Sequence, residues 1–179
     1  MSKHLKTKAP DLKTAIFLFF DPLILALVIN MSIEQPIQHF LSFCLDERKE
    51  KVDLGNLIEE LDRLVVATYL PEFEFDENEY PEPPDNEHLN IRETISERFP
   101  DLGFYCTVDC EPESIGDTNV VTGDAIDDLA DIIGDLMNVQ WYLENTTLSN
   151  AMWHFEFSYR THWGFHLREL QRFLHIRWW

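Results

Sequence analysis

Apolar residues recur every three or four positions along most of this chain. That spacing predicts an all-α protein, a small antiparallel helical bundle of about five helices. Between Ser32 and Leu45, the residues Ile33, Ile37, Phe40, Leu41 and Cys44 share one helical face. The wholly charged run Asp46 to Lys51 ends that helix, and Asp53 caps a second one with Leu54, Leu57, Ile58, Leu61, Leu64, Val65 and Tyr69 as its stripe. A short third helix over His88 to Phe99 carries Ile91, Ile95 and Phe99 and is closed by Pro100.

The strongest periodicity lies between Val120 and His175. It reads as two long helices folded back on one another across Asn145-Thr146-Thr147. The first starts near Thr122-Gly123-Asp124 and carries Ile126, Leu129, Ile133, Leu136, Gln140 and Leu143 on one side. The second runs from about Leu148 to Ile176, with Met152, Phe155, Tyr159, Trp163, Leu167, Leu170, Phe173 and Leu174 as a less regular stripe. Gly164 inside it costs ~1 kcal/mol relative to alanine, so a backbone or large ring is expected close by.

Other stretches break the pattern. Pro71 stops the second helix, and Glu72 to Glu87 is a long Pro-rich acidic loop with eight acids and no base. Phe73, Phe75 and Tyr80 within it are expected to pin the loop to the bundle, the alternative being an exposed docking strip. Leu102 to Val108 is rich in β-favouring residues and reads as a short extended segment crossing the bundle. Glu111 to Val121 reads as polar loop, and Trp178-Trp179 as a frayed end.

Residues 31–179 therefore form a single helical domain, and residues 1–30 stand apart as a non-core extension. A basic start, with Lys3, Lys6, Lys8 and Lys13, leads into AIFLFFDPLILALVIN, interrupted by Asp21-Pro22. An acid at mid-depth costs ~2.5–3.5 kcal/mol on insertion scales, which weighs against a membrane span. No small-residue cleavage site follows, which weighs against a secretory signal. A start at Met31 is the favoured account, and a membrane anchor is the alternative.

The candidate chemistry lies on the two long helices. Asp124, Asp127, Asp128, Asp131 and Asp135 gather opposite the apolar stripe of the first, which predicts a solvated acidic face or a docking surface for a basic protein. On the second, Glu156, His162 and His166 fall inside or beside the stripe, so a buried hydrogen-bond network around Glu156, Tyr159 and His166 is expected. His162 and His166, one turn apart, can also point two imidazoles at one metal ion. One helix cannot complete that site, so any further ligand is expected from the loops or from Glu59, Glu60 or Asp62. Arg160, Arg168, Arg172 and Arg177 could face the aspartates. No catalytic residue is assigned, since no nucleophile elbow or phosphate loop occurs.

The stretch DAIDDLADIIGDL followed by WHFEFSYRTHWGFHLRELQRFLH resembles the C-terminal signature of a bacterial family known as domain of unknown function 5063. The likeness extends back through FYCTVDCEPE and LDRLVVATYLPE, covers roughly Ser32 to His175, and is most specific at His162 to His166. It implies a small helical fold and no established activity.

Charge narrows the classes of partner. A net charge of −19 opposes binding to nucleic-acid phosphate, and twelve acids with no Lys or Arg lie between Arg98 and Arg160. A membrane partner enters only through residues 1–30. Cys44, Cys106 and Cys110 make no even disulfide set and no second pair for a zinc site, so buried free thiols in a reducing cytoplasm are expected. The sequence thus points to a cytoplasmic, cofactor-free accessory module that binds a basic protein. The alternative is a metal-binding protein or metal-dependent enzyme centred on His162 and His166.

Overall fold

The computed structural model describes residues 32–46, 52–69, 73–86, 88–108, 114 and 116–178. Expectations concerning residues 1–30, the charged run over 47–51, Pro71, Cys110 and Trp179 lie outside the described residues. The chain is mostly helical, with helices α1 (Glu34–Cys44), α2 (Leu54–Ala67), α3 (His88–Arg98), α4 (Ala125–Asn145), α5 (Leu148–Ser158) and α6 (Gly164–Trp178). A π-helical turn, Tyr159–Trp163, joins α5 to α6 without a break, so among the described residues the helices make five rods.

Helix boundaries follow from capping residues. Asp53 accepts a hydrogen bond from the Gly55 N–H at 2.8 Å, Asp124 from Ile126 N–H at 3.1 Å, and Thr147 from Asn150 N–H at 3.2 Å. Arg98 at the end of α3 donates to the carbonyls of Phe43 and Asp46, which locks α3 against the end of α1.

Helix α4 is the axle of the bundle, with α1, α3, α5 and α6 packed around it. Leu129, Ala130, Ile132, Ile133 and Leu136 are fully buried in a core shared with Phe40, Leu57, Leu61, Ile95, Phe155 and Trp163. Removing a large aliphatic side chain from water is worth about 1.5–3 kcal/mol. Several such residues outweigh the few tenths of a kcal/mol by which each pair of like charges at i,i+4 opposes this aspartate-rich helix. Among the described residues no helix is long and apolar enough to cross a membrane.

The all-α expectation needs correction. Strands β1 (Phe104–Val108) and β2 (Val120–Asp124) form a two-stranded antiparallel sheet in which Tyr105 faces Gly123 and Val108 faces Val120. Five-residue strands are too short for periodicity to reveal, and β2 lies where the sequence reads as loop and helix start. β1 accounts for the extended segment, though it pairs with β2 instead of crossing the bundle alone. Isolated hairpins are marginal in water. This one is tied down on its inner side, where Thr107 Oγ1 donates to Glu169 at 2.5 Å and accepts from Arg172 at 2.6 Å.

Two smaller expectations also change. Cys44 is buried, and burial pushes its thiol well above the usual range, but Cys106 is exposed on the outer side of β1. Trp178 is the last residue of α6 and is about half exposed.

Residues 73–86 carry no helix or strand. Of its three aromatics Phe75 is 68% exposed while Phe73 and Tyr80 are half-buried, and polar groups add further ties. Tyr142 on α4 donates to Glu82 at 2.8 Å, and the Asn86 amide donates to Gly134 O and Asn138 Oδ1. Asp76 accepts from Thr147 at 2.5 Å, from Tyr80 at 2.7 Å and from Asn78. The Thr147 hydroxyl, followed by the other donors, lowers the Asp76 carboxyl to about 2. Stability from these bonds is therefore complete above an ordinary aspartate pKa of about 3.9 and is lost as pH falls through about 2. An NMR carboxyl titration is expected to place Asp76 near 2. Thr147→Val should move it back toward the ordinary range while Thr147→Ser keeps it low; a wild-type value near 4 contradicts the pinning.

Candidate metal centre

The aspartates at 124, 128, 131 and 135 are spaced four, three and four apart, which places them in a row along one side of α4. That side is not a solvated acidic face. The C-terminal rod of α5, π turn and α6 runs antiparallel to α4 across it, and β1 covers its N-terminal end. A helical wheel shows which side chains share a face; it cannot show what lies on top of them.

The aspartates meet imidazoles in antiparallel order. His162 Nδ1 lies 2.8 Å from Asp135 Oδ2, and His166 Nδ1 lies 2.8 Å from Asp128 Oδ1. A carboxylate can only accept, so each Nδ1 carries the hydrogen of its bond. The other ring nitrogen of His166, Nε2, stands 3.5 Å from Asp131 Oδ2. The two rings are 4.9 Å apart between centroids. Asp131, His162 and His166 each present one ligand atom, and the three atoms lie within 4.8 Å of one another.

Burial grades across this cluster. The side chain of Asp128 is 10% exposed, those of Asp131, Asp135 and His166 about a fifth, and that of His162 half. The hydrogen bond to Asp128 raises the His166 pKa against the opposing effect of burial, with Asp131 adding to the rise. Burial raises the Asp135 carboxyl in turn, more than its bond to His162 lowers it. At the N-terminal end of the row, Arg92 of α3 reaches Asp124 at 2.5 Å and Asp127 at 2.7 Å. The cation opposite these two aspartates thus comes from α3. Arg160 pairs instead with Glu156 and Arg172 with Glu169, each on the same rod, and Arg168 donates to Tyr159.

The expected network of Glu156, Tyr159 and His166 does not form. Glu156 accepts from Arg160 at 2.5 Å, the Tyr159 hydroxyl accepts from Arg168 at 3.1 Å, and His166 turns to Asp128. The expected extra ligands on α2 are also elsewhere. Buried Glu60 bonds His39 at 2.7 Å and pairs with Arg63, while Asp62 accepts from Gln171 at 2.7 Å. The carboxylate grouped with the two imidazoles comes from α4, and its signal in the sequence is a repeated spacing: Asp131 and Asp135 on one rod, His162 and His166 on the other, both i,i+4. Tyr105, whose hydroxyl donates to Asp128 Oδ2 at 2.5 Å, is the participant that no sequence pattern announces.

The π turn sets the direction of His162. In a regular α-helix Phe155 and Trp163, eight residues apart, would diverge by about 80° around the axis. The wider turn absorbs the difference, so both side chains are fully buried and their rings lie 5.3 Å apart. Gly164 closes the turn by donating its N–H to the Tyr159 carbonyl. A Cβ at Gly164 would lie 2.2 Å from that oxygen and 2.8 Å from the Tyr159 ring, which is the close approach the sequence anticipates.

A family model described as domain of unknown function DUF5063 matches residues 33–177. The chain belongs to the DUF5063 family. Among solved structures, the DUF5063 chain is similar to the crystal structure of the protein BF1032 from Bacteroides fragilis, at 20% sequence identity and a TM-score of 0.58. That likeness covers 92% of this chain and 95% of the other, and at this identity it speaks to fold alone. No curated protein matches the sequence.

Replacing a helical glycine by alanine ordinarily gains up to ~1 kcal/mol. At Gly164 the sign is expected to reverse. Gly164→Ala should destabilise the protein by about 1–3 kcal/mol through crowding of the π turn. Urea unfolding measures this, and a variant at least as stable as the wild type refutes the role assigned to the turn.

Proposed function

We propose that this protein binds one divalent transition-metal ion between α4 and the C-terminal rod, held by Asp131, His162 and His166. The observation that carries the reading is the backing of both imidazoles. Each has its Nδ1 hydrogen-bonded to a carboxylate, Asp135 for His162 and Asp128 for His166, and Asp131, His162 and His166 each bring one ligand atom within 4.8 Å of the others. Carboxylate–histidine pairs of this kind orient the ring, fix its tautomer and strengthen it as a ligand.

Electrostatics supports the same reading. Three carboxylates share a partly desolvated site with two rings, so a cation there relieves repulsion that water screens poorly. Metal–ligand bonds of about 2.0–2.2 Å require the three ligand atoms to draw in slightly, and the half-exposed His162 side chain has room to do so. Two histidines and one carboxylate suit zinc, iron or manganese and leave coordination positions open for water or a substrate oxygen. Docking of a basic protein on the aspartate row has less support, because Asp128 and Asp135 turn inward to histidines while Arg92 occupies Asp124 and Asp127.

Protein purified without chelator and supplemented with zinc, iron or manganese is expected to retain one equivalent of metal by elemental analysis. His162→Ala, His166→Ala and Asp131→Asn should each abolish stoichiometric binding, whereas Glu156→Gln should not. Chelation should lower the melting temperature, since metal at about 100 times its Kd adds about 2.7 kcal/mol to stability. Metal-free protein after every supplementation, with no response to added cobalt, removes the proposal.

A further inference from the structure

We infer that Tyr105 is a positioning residue for this metal centre, fixing the ring of His166 through Asp128, and that the β1–β2 hairpin exists to deliver it. The inference rests on the metal-binding reading and adds a residue from outside the helical bundle.

The Tyr105 ring is aimed by its cross-strand partner. Tyr105 sits directly opposite Gly123 in the sheet register, and a Cβ on Gly123 would lie 2.3 Å from the Tyr105 ring. A bare glycine lets the ring lie flat across β2, where any side chain would lift it away. On α6 the ring stacks against Phe173, with centroids 4.8 Å apart and planes inclined by 18°. Held by the strand and the helix, its hydroxyl reaches Asp128 Oδ2 at 2.5 Å.

Asp128 then has both oxygens committed. Oδ2 accepts from Tyr105 and Oδ1 accepts from His166 Nδ1 at 2.8 Å, so the carboxylate plane cannot swing. That keeps a hydrogen on His166 Nδ1 and turns Nε2, the nitrogen that would offer its lone pair to a metal ion, toward Asp131 Oδ2, 3.5 Å away. Burial, then the bond to Asp128, raises the Tyr105 pKa, which keeps the hydroxyl a donor throughout the physiological range. The hairpin has an independent attachment through Thr107, Glu169 and Arg172, which does not touch Asp128.

Cobalt titration of the full chain tests this, with visible absorption as the readout of coordination geometry. Tyr105→Phe is expected to weaken cobalt binding about 10–100-fold and to shift the ligand-field bands, with the helical circular dichroism unchanged. Gly123→Ala, which displaces the ring without removing the hydroxyl, should do the same. Thr107→Val, which loosens the hairpin but keeps the Tyr105 hydroxyl and leaves Asp128 alone, should cost clearly less affinity than Tyr105→Phe. If the wild type binds cobalt and Tyr105→Phe matches it in affinity and spectrum, the positioning role is overturned. If Thr107→Val loses as much affinity as Tyr105→Phe, the effect belongs to hairpin docking and the inference is likewise overturned. A wild type that takes up no cobalt overturns the metal centre itself, and this inference with it.

Discussion

Helix α4 and the C-terminal rod meet along two seams at once, and the rest of the molecule is arranged around that double contact. Leucines and isoleucines on one side of α4 enter the common core, while aspartates on the opposite side meet the imidazoles of the rod. Burying a carboxylate without a partner costs several kcal/mol, so a buried aspartate row survives only if donors stand in register with it. Antiparallel packing supplies that register: residue numbers rise along α4 as they fall along the rod, so Asp135 meets His162 and Asp131 comes beside His166.

The irregular features of the chain serve this contact. The π turn at Tyr159–Trp163 brings Phe155 and Trp163 into the core together and presents His162 to Asp135. Arg92 of α3 neutralises the N-terminal end of the aspartate row, and the hairpin places a tyrosine on the most buried aspartate. π turns and short strands inside helical bundles cost regular hydrogen bonding, and they concentrate where a side chain must be aimed. A second buried polar group, Glu60 with His39 and Arg63, lies between α1 and α2 and satisfies itself without the cluster.

Membership of the DUF5063 family fixes a fold and leaves chemistry to the particular residues. The chemistry offered by those residues is ligand-like more than surface-like. Two histidines backed by carboxylates, with a third carboxylate beside them, form a convergent set, whereas a docking surface spreads its charges outward.

Helix positions were legible in the sequence because amphipathic spacing and capping residues act locally. Ile37, Phe40, Leu57, Leu61, Ile95 and Leu129 declare their burial through i,i+3 and i,i+4 spacing, and Asp53 and Asp124 mark helix starts. The histidine pair at 162 and 166 was visible for the same reason. The extended segment of β1 was visible in its β-favouring residues, but β2 and its pairing were hidden because five-residue strands have no periodicity to distinguish them from loops, and the role of Tyr105 was hidden with them. The surroundings of the aspartates were decided only by tertiary packing. Spacing places Asp128, Asp131 and Asp135 on one side of α4, but the antiparallel rod covering that side brings the imidazoles from 27 and 38 residues away in the chain and turns an apparently wet face into a half-buried cluster.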